Sequence, residues 1–331
     1  MIEMETIIKY CIRICHVLIF IGLVYFGYQT ITNIGIILLY LAFIKIRINI
    51  LYLCRSTYYR KNILITGCDS GFGYDMARKL SLSHVVFATC LRDESITEHH
   101  KWAKENQLEK NLHAIKMDVC NEDDINNVEQ EIGIYCNHLD IIICNAGVYH
   151  KGFRVSDTKL NSYHHTILVN YLGAVAVVKK FETWLDNSKI IFISSCMGRN
   201  SIFGCSAYSA SKMALEGFAD SLRQEWKDRN SVYIIEPGCH NTGLIDEVID
   251  SFKFITKSIK IKIKNDYLKL ICGKPEAITS VIETILYCPT FILPSRFVVG
   301  LDAFIWCYIF PGCLPDFIVD FIVGIGKSIL I

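Results

Sequence analysis

The sequence predicts an α/β chain built on a doubly wound parallel sheet, with a long apolar segment ahead of it. Three observations carry that expectation. Short β-branched runs alternate with helical stretches from Asn62 onward, and the first run passes straight into a glycine-rich turn. Between Arg13 and Lys45 no residue carries a formal charge if His16 is neutral. At 331 residues the chain has room for one large α/β domain with extra segments, or for two small domains.

The bulk numbers narrow the class. Apolar residues make up 52% and the mean hydropathy is +0.32, high for a soluble protein and low for a polytopic transporter. A net charge of +1 gives no reason to expect nucleic acid as a partner. The 15 cysteines are scattered, odd in number and without a CxxC pair. They read as small buried hydrophobes in a reduced body facing the cytosol, not as a disulfide framework. No histidine spacing resembles a ligand set, so no metal site is expected.

Residues 1–60 form the expected membrane anchor. Ile14 to Ile44 spans 31 residues, about 46 Å as one helix against roughly 30 Å of bilayer core. Gln29, Thr30, Thr32 and Asn33 cluster at its middle, so one tilted span and a two-armed hairpin both stay open. Lys45, Arg47, Arg55, Arg60 and Lys61 follow the segment, and only Lys9 and Arg13 precede it. By the positive-inside rule the body then faces the cytosol, with the endoplasmic reticulum as the expected membrane.

The expected strands are Asn62–Thr66, His84–Thr89, Leu112–Met117, Asp140–Cys144, Lys189–Ser194, Val232–Ile235 and Arg296–Val299. Most are continuous apolar runs, as in parallel strands covered on both faces. Intervening stretches such as Asp157–Phe181 and Tyr208–Lys227 are long enough for crossover helices. Ligands of such a sheet sit at the carboxyl ends of its strands.

The first strand ends at Thr66 and enters Gly67, Ser70, Gly71, Phe72 and Gly73, followed by a helical pattern from Tyr74 to Leu82. Strand, glycine turn and helix are what a pyrophosphate needs: close backbone approach, then free N–H groups at a positive dipole end. The spacing TGxxxGxG, directly behind a strand, makes this a dinucleotide loop. Two later loops fit the same cofactor. Asp118 and Val119 end the third strand, where a carboxylate can accept the adenine amine; Asp118 could equally cap the helix expected over Asn121–Glu131. Asn145, Ala146 and Gly147 end the fourth strand, where small residues let the backbone lie against a ribose. After the second strand, Arg92 stands beside Asp93 and Glu94. The acidic pair tilts the expectation toward NAD, with NADP left open by the arginine.

Tyr208 and Lys212 form a Tyr-x-x-x-Lys pair, a pattern expected about once by chance in this composition. Its context is what informs. The pair opens a helix, so both side chains share a face, and Ser195 ends a buried strand 13 residues earlier. Hydride removal from an alcohol needs a base for the hydroxyl proton. A tyrosine serves if its pKa falls from about 10 to about 7, worth ~4 kcal/mol. A neighbouring ammonium and a positively charged nicotinamide favour the phenolate. Ser195 would hold the substrate oxygen against Tyr208, and Lys212 would also reach the nicotinamide ribose.

TGCDSGFG, CNAG, Ser195, YSASK (Tyr208–Lys212) and the EPG of Glu236–Gly238 match, in order and spacing, a known pattern from about Asn62 to Phe310. The chain resembles the short-chain dehydrogenases/reductases, with a Rossmann fold. That resemblance implies a catalytic tetrad of Asn170, Ser195, Tyr208 and Lys212, with Asn170 holding a relay water through its helix backbone. It also implies nicotinamide contacts from Pro237, Gly238 and Thr242. One departure is Cys144, where the family usually has asparagine. TGCDSGFG, FATCL, ISSCMGR, GFADSLRQEW and RFVVGLDA resemble the membrane-bound retinol and hydroxysteroid dehydrogenases; hydroxybutyrate dehydrogenases share much of this pattern.

The domain layout expected is then 1–60 anchor, 61–303 dehydrogenase domain with a substrate lobe near 243–273, and 304–331 apolar tail. Within the lobe, Lys260, Lys262 and Lys264 alternate with isoleucines, as a solvated face or as a basic rim on the membrane. The leading expectation is an oxidoreductase for a lipophilic alcohol or carbonyl compound of the retinoid or steroid class. A hydroxy-acid dehydrogenase, using Lys253 or Lys257 for the carboxylate, and a non-catalytic dinucleotide-binding protein at the membrane are the competitors. The resemblance also implies a homodimer paired through the helices at Asp157–Phe181 and Tyr208–Lys227.

Overall fold

A computed structural model describes residues 59–149, 155–201, 204–242, 272–288, 290, 293–304 and 307. The expected anchor to Tyr58, most of the lobe including Lys253, Lys257, Lys260, Lys262 and Lys264, and nearly all of the tail lie outside them. Among the described residues no helix is long and apolar enough to cross a membrane.

Seven parallel strands form one sheet: β1 (Asn62–Ile65), β2 (Val85–Cys90), β3 (Leu112–Lys116), β4 (Ile141–Cys144), β5 (Lys189–Ile193), β6 (Ser231–Pro237) and β7 (Arg296–Val299). Every strand expected from the sequence is present, shifted by two residues at most. Their order is β3-β2-β1-β4-β5-β6-β7. The chain therefore works outward from β1 to one edge, returns to β4, and works outward to the other. The reversal leaves a crevice between the carboxyl ends of β1 and β4, the place where such sheets bind ligands.

The apolar runs explain the layers. Leu64, Phe87, Ile142, Ile190 and Ile234 point to one face of the sheet, and Ile63, Ile65, Val86, Ile143 and Ile235 point to the other. Helices α1 (Gly71–Ser81), α2 (Asp93–Glu105) and α7 (Glu276–Tyr287) cover the second face. Helices α3 (Glu122–Gly133), α5 (Gly173–Lys180) and α6 (Ser206–Glu225) cover the first, and α4 (Leu160–Ile167) packs against α6. Each of these fully covered aliphatic side chains contributes about 1.5–3 kcal/mol. A short helix, α8 (Leu301–Phe304), follows β7.

One expected helix is divided. The stretch Asp157–Phe181 holds a tight turn at Val155–Asp157, then α4, a wide π-turn over Leu168–Leu172, and α5. Asn170 sits inside the wide turn. Its amide is spent on the loop after β4: Oδ1 accepts from Val148 N (2.7 Å) and Nδ2 donates to Val148 O (3.0 Å). A single wide turn of this kind commonly marks a functional position in a helix.

Candidate active site

Thr66 and Asn145 tie the loops after β1 and β4 together. Thr66 Oγ1 accepts from the backbone N–H groups of Asn145 and Ala146, each at 3.0 Å. In return, Asn145 Nδ2 donates to the carbonyls of Thr66 and Gly67, each at 2.9 Å. Gly67 has φ +71°, and a Cβ there would lie 2.7 Å from Ala146 Cα. Gly73 has no room for one either, since its Cβ would meet Gly67 O at 2.2 Å. Behind this turn, α1 starts with no acidic residue in its first turn and no side-chain cap from Ser70. Its first N–H groups are left for an anion.

A cavity of about 590 Å³ opens over the crevice. Gly67, Ser70, Gly71 and Phe72 line it from the first loop, and Asn145, Ala146 and Gly147 from the fourth-strand loop. Asp118, Val119, Arg92, Thr242, Tyr208 and Lys212 complete the sequence-expected residues on its wall. Thr66, Gly73, Asn170, Ser195, Pro237 and Gly238 are not on the wall. The first three brace the loops that are. Gly238 instead packs on α8, where a Cβ would overlap the Asp302 carboxylate at 2.3 Å.

Two expectations are corrected at the dinucleotide ends. Asp118 is not the cap of α3: Asn121 accepts from Asp123 N (3.0 Å), while Asp118 Oδ1 accepts from Cys120 N (2.9 Å). Asp93 and Glu94, which tilted the cofactor expectation to NAD, open α2 away from the cavity wall, and Asp93 pairs with Lys116 (2.8 Å). Beside Arg92, the carboxylate on the wall is Asp69, which sequence reasoning passed over. It accepts from Leu91 N (2.8 Å) and Arg92 N (2.9 Å) and pairs with Arg92 Nε (3.4 Å). Burial pushes its carboxyl up, but these donors outweigh burial and hold it below the ordinary carboxylate range.

Tyr208 and Lys212 stand one turn apart on the buried face of α6. Ser195 Oγ accepts from Met197 N (3.2 Å) and stands near enough to the Tyr208 hydroxyl to act on its titration. Lys212 Nζ donates to Ile193 O (2.8 Å) and lies 5.7 Å from the Tyr208 ring centroid. Gly147 separates Lys212 from Asn170: a Cβ there would be 3.5 Å from both Lys212 Nζ and Asn170 Oδ1. The four residues of the expected tetrad thus meet at the carboxyl edge of β4 and β5.

The expected acidic phenol is not produced by these protein groups. Burial pushes the Tyr208 phenol well above its ordinary value, only partly opposed by Ser195. Burial also brings the Lys212 ammonium down to about 8, with Glu216 acting against it. Lys212 is turned toward a carbonyl, and burial is the largest influence on the phenol.

Tyr149 and His165 also line the cavity and had no signal in the sequence beyond position. The Tyr149 ring lies 5.6 Å from that of Tyr208, and the two pack with Cys205 and Met197 behind the cavity.

A dinucleotide crevice bordered by a buried Ser–Tyr–Lys cluster defines a nicotinamide-dependent oxidoreductase. Residues 61–251 match the short chain dehydrogenase family model, and the chain belongs to that family. Estradiol 17-beta-dehydrogenase 2 of Mus musculus is 30% identical over 295 residues, covering 81% of this chain and 75% of that protein. Mitochondrial D-beta-hydroxybutyrate dehydrogenase of Mus musculus is 33% identical over 186 residues, 54% of each chain. These alignments span between about half and three quarters of the two relatives. Among solved structures, 3-ketoacyl-(acyl-carrier-protein) reductase from Brucella melitensis complexed with NADH superposes with a TM-score of 0.60 at 18% identity. It covers 72% of this chain and 96% of that one.

Proposed function

We propose that this protein interconverts a lipophilic secondary alcohol and its carbonyl compound, with hydroxysteroids or retinoids as the substrate class. The observation that carries the reading is the convergence of Tyr208 and Lys212 on the wall of the dinucleotide cavity, with Ser195 beside the phenol. The Tyr149 ring, on the cavity wall beside Tyr208, suits a flat apolar substrate. Similarity to an estradiol dehydrogenase over most of the chain points the same way.

In this reading the N-terminus of α1 and the glycines behind β1 hold the pyrophosphate, Asp118 accepts from the adenine amine, and Lys212 bonds the nicotinamide ribose. The cradle that a Cβ at Gly67 or Gly73 would fill fits such a group. A bound oxidised nicotinamide supplies the hydride acceptor and a positive charge. Ser195 holds the substrate oxygen, and Tyr208 removes its proton as the carbonyl forms. Asn170 keeps the wide turn of its helix open for a relay water. The cofactor is NAD or NADP, since Asp69 and Arg92 bring both signs of charge to the wall in place of Asp93 and Glu94. Residues 1–60 anchor the protein in the endoplasmic reticulum membrane, where an apolar substrate concentrates, and the body faces the cytosol. Pairing of two copies through α4–α5 and α6 completes the proposal.

The test is formation of the reduced dinucleotide, followed by fluorescence, with retinol, androstanediol and hydroxybutyrate, each with NAD or NADP. Turnover of a lipophilic alcohol, lost in Tyr208→Phe, is expected. Turnover of hydroxybutyrate alone would transfer the assignment to the hydroxy-acid reading, which the mitochondrial relative favours. Dinucleotide binding with no turnover of any alcohol would leave a binding protein.

A further inference from the structure

A buried ionic cluster lies behind the candidate site, and the reaction as described makes no use of it. Glu216 stands one turn beyond Lys212 and two beyond Tyr208 on the buried face of α6, at 5% exposure. Its Oε1 accepts from Ser194 Oγ at 2.7 Å, and Ser194 immediately precedes Ser195. Its Oε2 meets Arg296 Nη1 at 2.5 Å and Arg199 Nε at 3.5 Å. The same two guanidinium groups hold Glu236 Oε1, at 2.9 Å and 2.8 Å, and Arg296 also pairs with Asp220 nearer the surface. A Cβ on Gly198 would sit 2.1 Å from Glu216 Oε1, so the Ser195 loop is closed directly over this carboxylate.

A buried ion cluster is weak evidence for stability, because desolvating its charges offsets most of their attraction. Position is what distinguishes this one. Five elements contribute to it: α6, the end of β5, the Ser195 loop, β6 just ahead of Pro237, and β7. Around Lys212 stand Tyr208 and Glu216 on its own helix, Asn170 beyond Gly147, and the Ile193 carbonyl of β5. Among the described residues Glu216 is the charged group that acts to raise the Lys212 pKa. Around Glu216 stand Ser194, Arg199, Arg296, Glu236, Asp220 and Lys212.

We propose that Glu216 is a positioning residue for the hydride-transfer site: through Ser194 it sets the Ser195 loop, and through its charge it keeps Lys212 an ammonium inside a dry cleft. The role rests on the part given to Lys212 under the proposed function. Burial brings Lys212 down to about 8 even with Glu216 acting against it, and loss of that opposing charge would take away the cation beside Tyr208. Burial and then Glu236 push the Glu216 carboxyl up, against the Ser194 and Arg296 hydrogen bonds. Its charge is thus sustained by the two arginines that β7 and the Ser195 loop bring to it.

The direct test is the titration of Lys212 in the full-length protein, read without any substrate or dinucleotide. Trace acetylation with acetic anhydride from pH 6.5 to 10, followed by mass spectrometry of the Lys212 peptide, gives the midpoint. Glu216→Gln keeps the size and the Ser194 contact and removes the charge. Its midpoint is expected about one pH unit below the parent's, and the alkaline limb of kcat/KM for androstanediol with NAD should move down equally. Glu236→Gln, which does not face Lys212, should leave the midpoint in place. A folded Glu216→Gln protein with the parental midpoint overturns the electrostatic role. Should Glu216→Gln not fold, Glu216→Asp keeps the charge but withdraws from Ser194. It should lower kcat about tenfold or more with no change of midpoint, and a parental kcat would refute the positioning role. Failure of the underlying reading looks different: Tyr208→Phe would then keep full turnover, whatever the Glu216 variants do.

Discussion

Replacing Gly73 with alanine puts a single methyl group where two loops already meet. The new Cβ would lie 2.2 Å from Gly67 O and 2.6 Å from Asn145 Nδ2. Both atoms are partners in one hydrogen bond of 2.9 Å, and Asn145 Nδ2 makes a second to Thr66 O, also 2.9 Å. Gly73 has no positive φ, so the cost is all collision. Overpacking of this kind costs about 1–3 kcal/mol, and two disturbed hydrogen bonds add about 1 kcal/mol each. The total of about 3–5 kcal/mol should lower Tm by roughly 6–20 °C at 2–4 °C per kcal/mol for a domain of this size. Because the displaced atoms form the dinucleotide crevice, affinity for NAD or NADP should fall at least tenfold. Gly217→Ala is the matched control. It lies on the exposed side of α6 with nothing within 4 Å of the added Cβ, and should stabilise by about 1 kcal/mol through helix propensity. Differential scanning fluorimetry and fluorescence titration with NADH measure both effects. Parental Tm and affinity in Gly73→Ala would refute the claim that this helix start has no room for a side chain.

Other expectations follow from single groups. Tyr208→Phe should reduce kcat by a thousandfold or more while NADH affinity stays within about twofold, because a general base contributes at the chemical step; equal losses in both would refute a purely chemical role. Arg92→Ala should weaken NADP about tenfold or more and leave NAD nearly unchanged, since a charge-assisted hydrogen bond contributes about 1.5–3 kcal/mol; equal effects on the two would show that Arg92 meets no 2′-phosphate. His84 is fully buried between Lys61 N (3.3 Å) and the Tyr287 hydroxyl (2.9 Å), and burial brings its pKa down to about 4. Below pH 6.5 the unfolded chain binds a proton that the folded chain refuses, so stability should fall as pH drops from about 6.5 to 4, by up to ~3 kcal/mol. In urea titrations His84→Gln should remove that part of the acid slope, and an unchanged slope would refute it.

The sheet was legible because its signals are local. Each strand is a run of β-branched residues short enough to be bracketed by turns, and burial on both faces leaves no register to guess. Alternation indicated the doubly wound class, since parallel neighbours need crossovers, but the order of the strands and the return at β4 came from the structure. The division of the Asp157–Phe181 helix was not legible. Its wide turn is stabilised by hydrogen bonds from Asn170 to Val148 and to Ser211 Oγ, 22 and 41 residues away. No local propensity encodes such partners.

The candidate site divides along the same line. Spacing could locate Tyr208 and Lys212 on one helical face and the glycines behind β1, because those relations lie within one or two turns of chain. It could not locate Asp69 under Arg92, 23 residues apart, or the carboxylate of Glu216 under the Ser195 loop. The electrostatics failed for a related reason. A Tyr-x-x-x-Lys pattern fixes the distance between two side chains but carries no information on how dry their surroundings are. In this protein dryness is the larger effect on both groups, raising the phenol and lowering the ammonium. Whatever makes Tyr208 a base must therefore act against burial. The countervailing charge has to be positive: that of Lys212, which Glu216 helps to keep protonated, and that which an oxidised nicotinamide would supply.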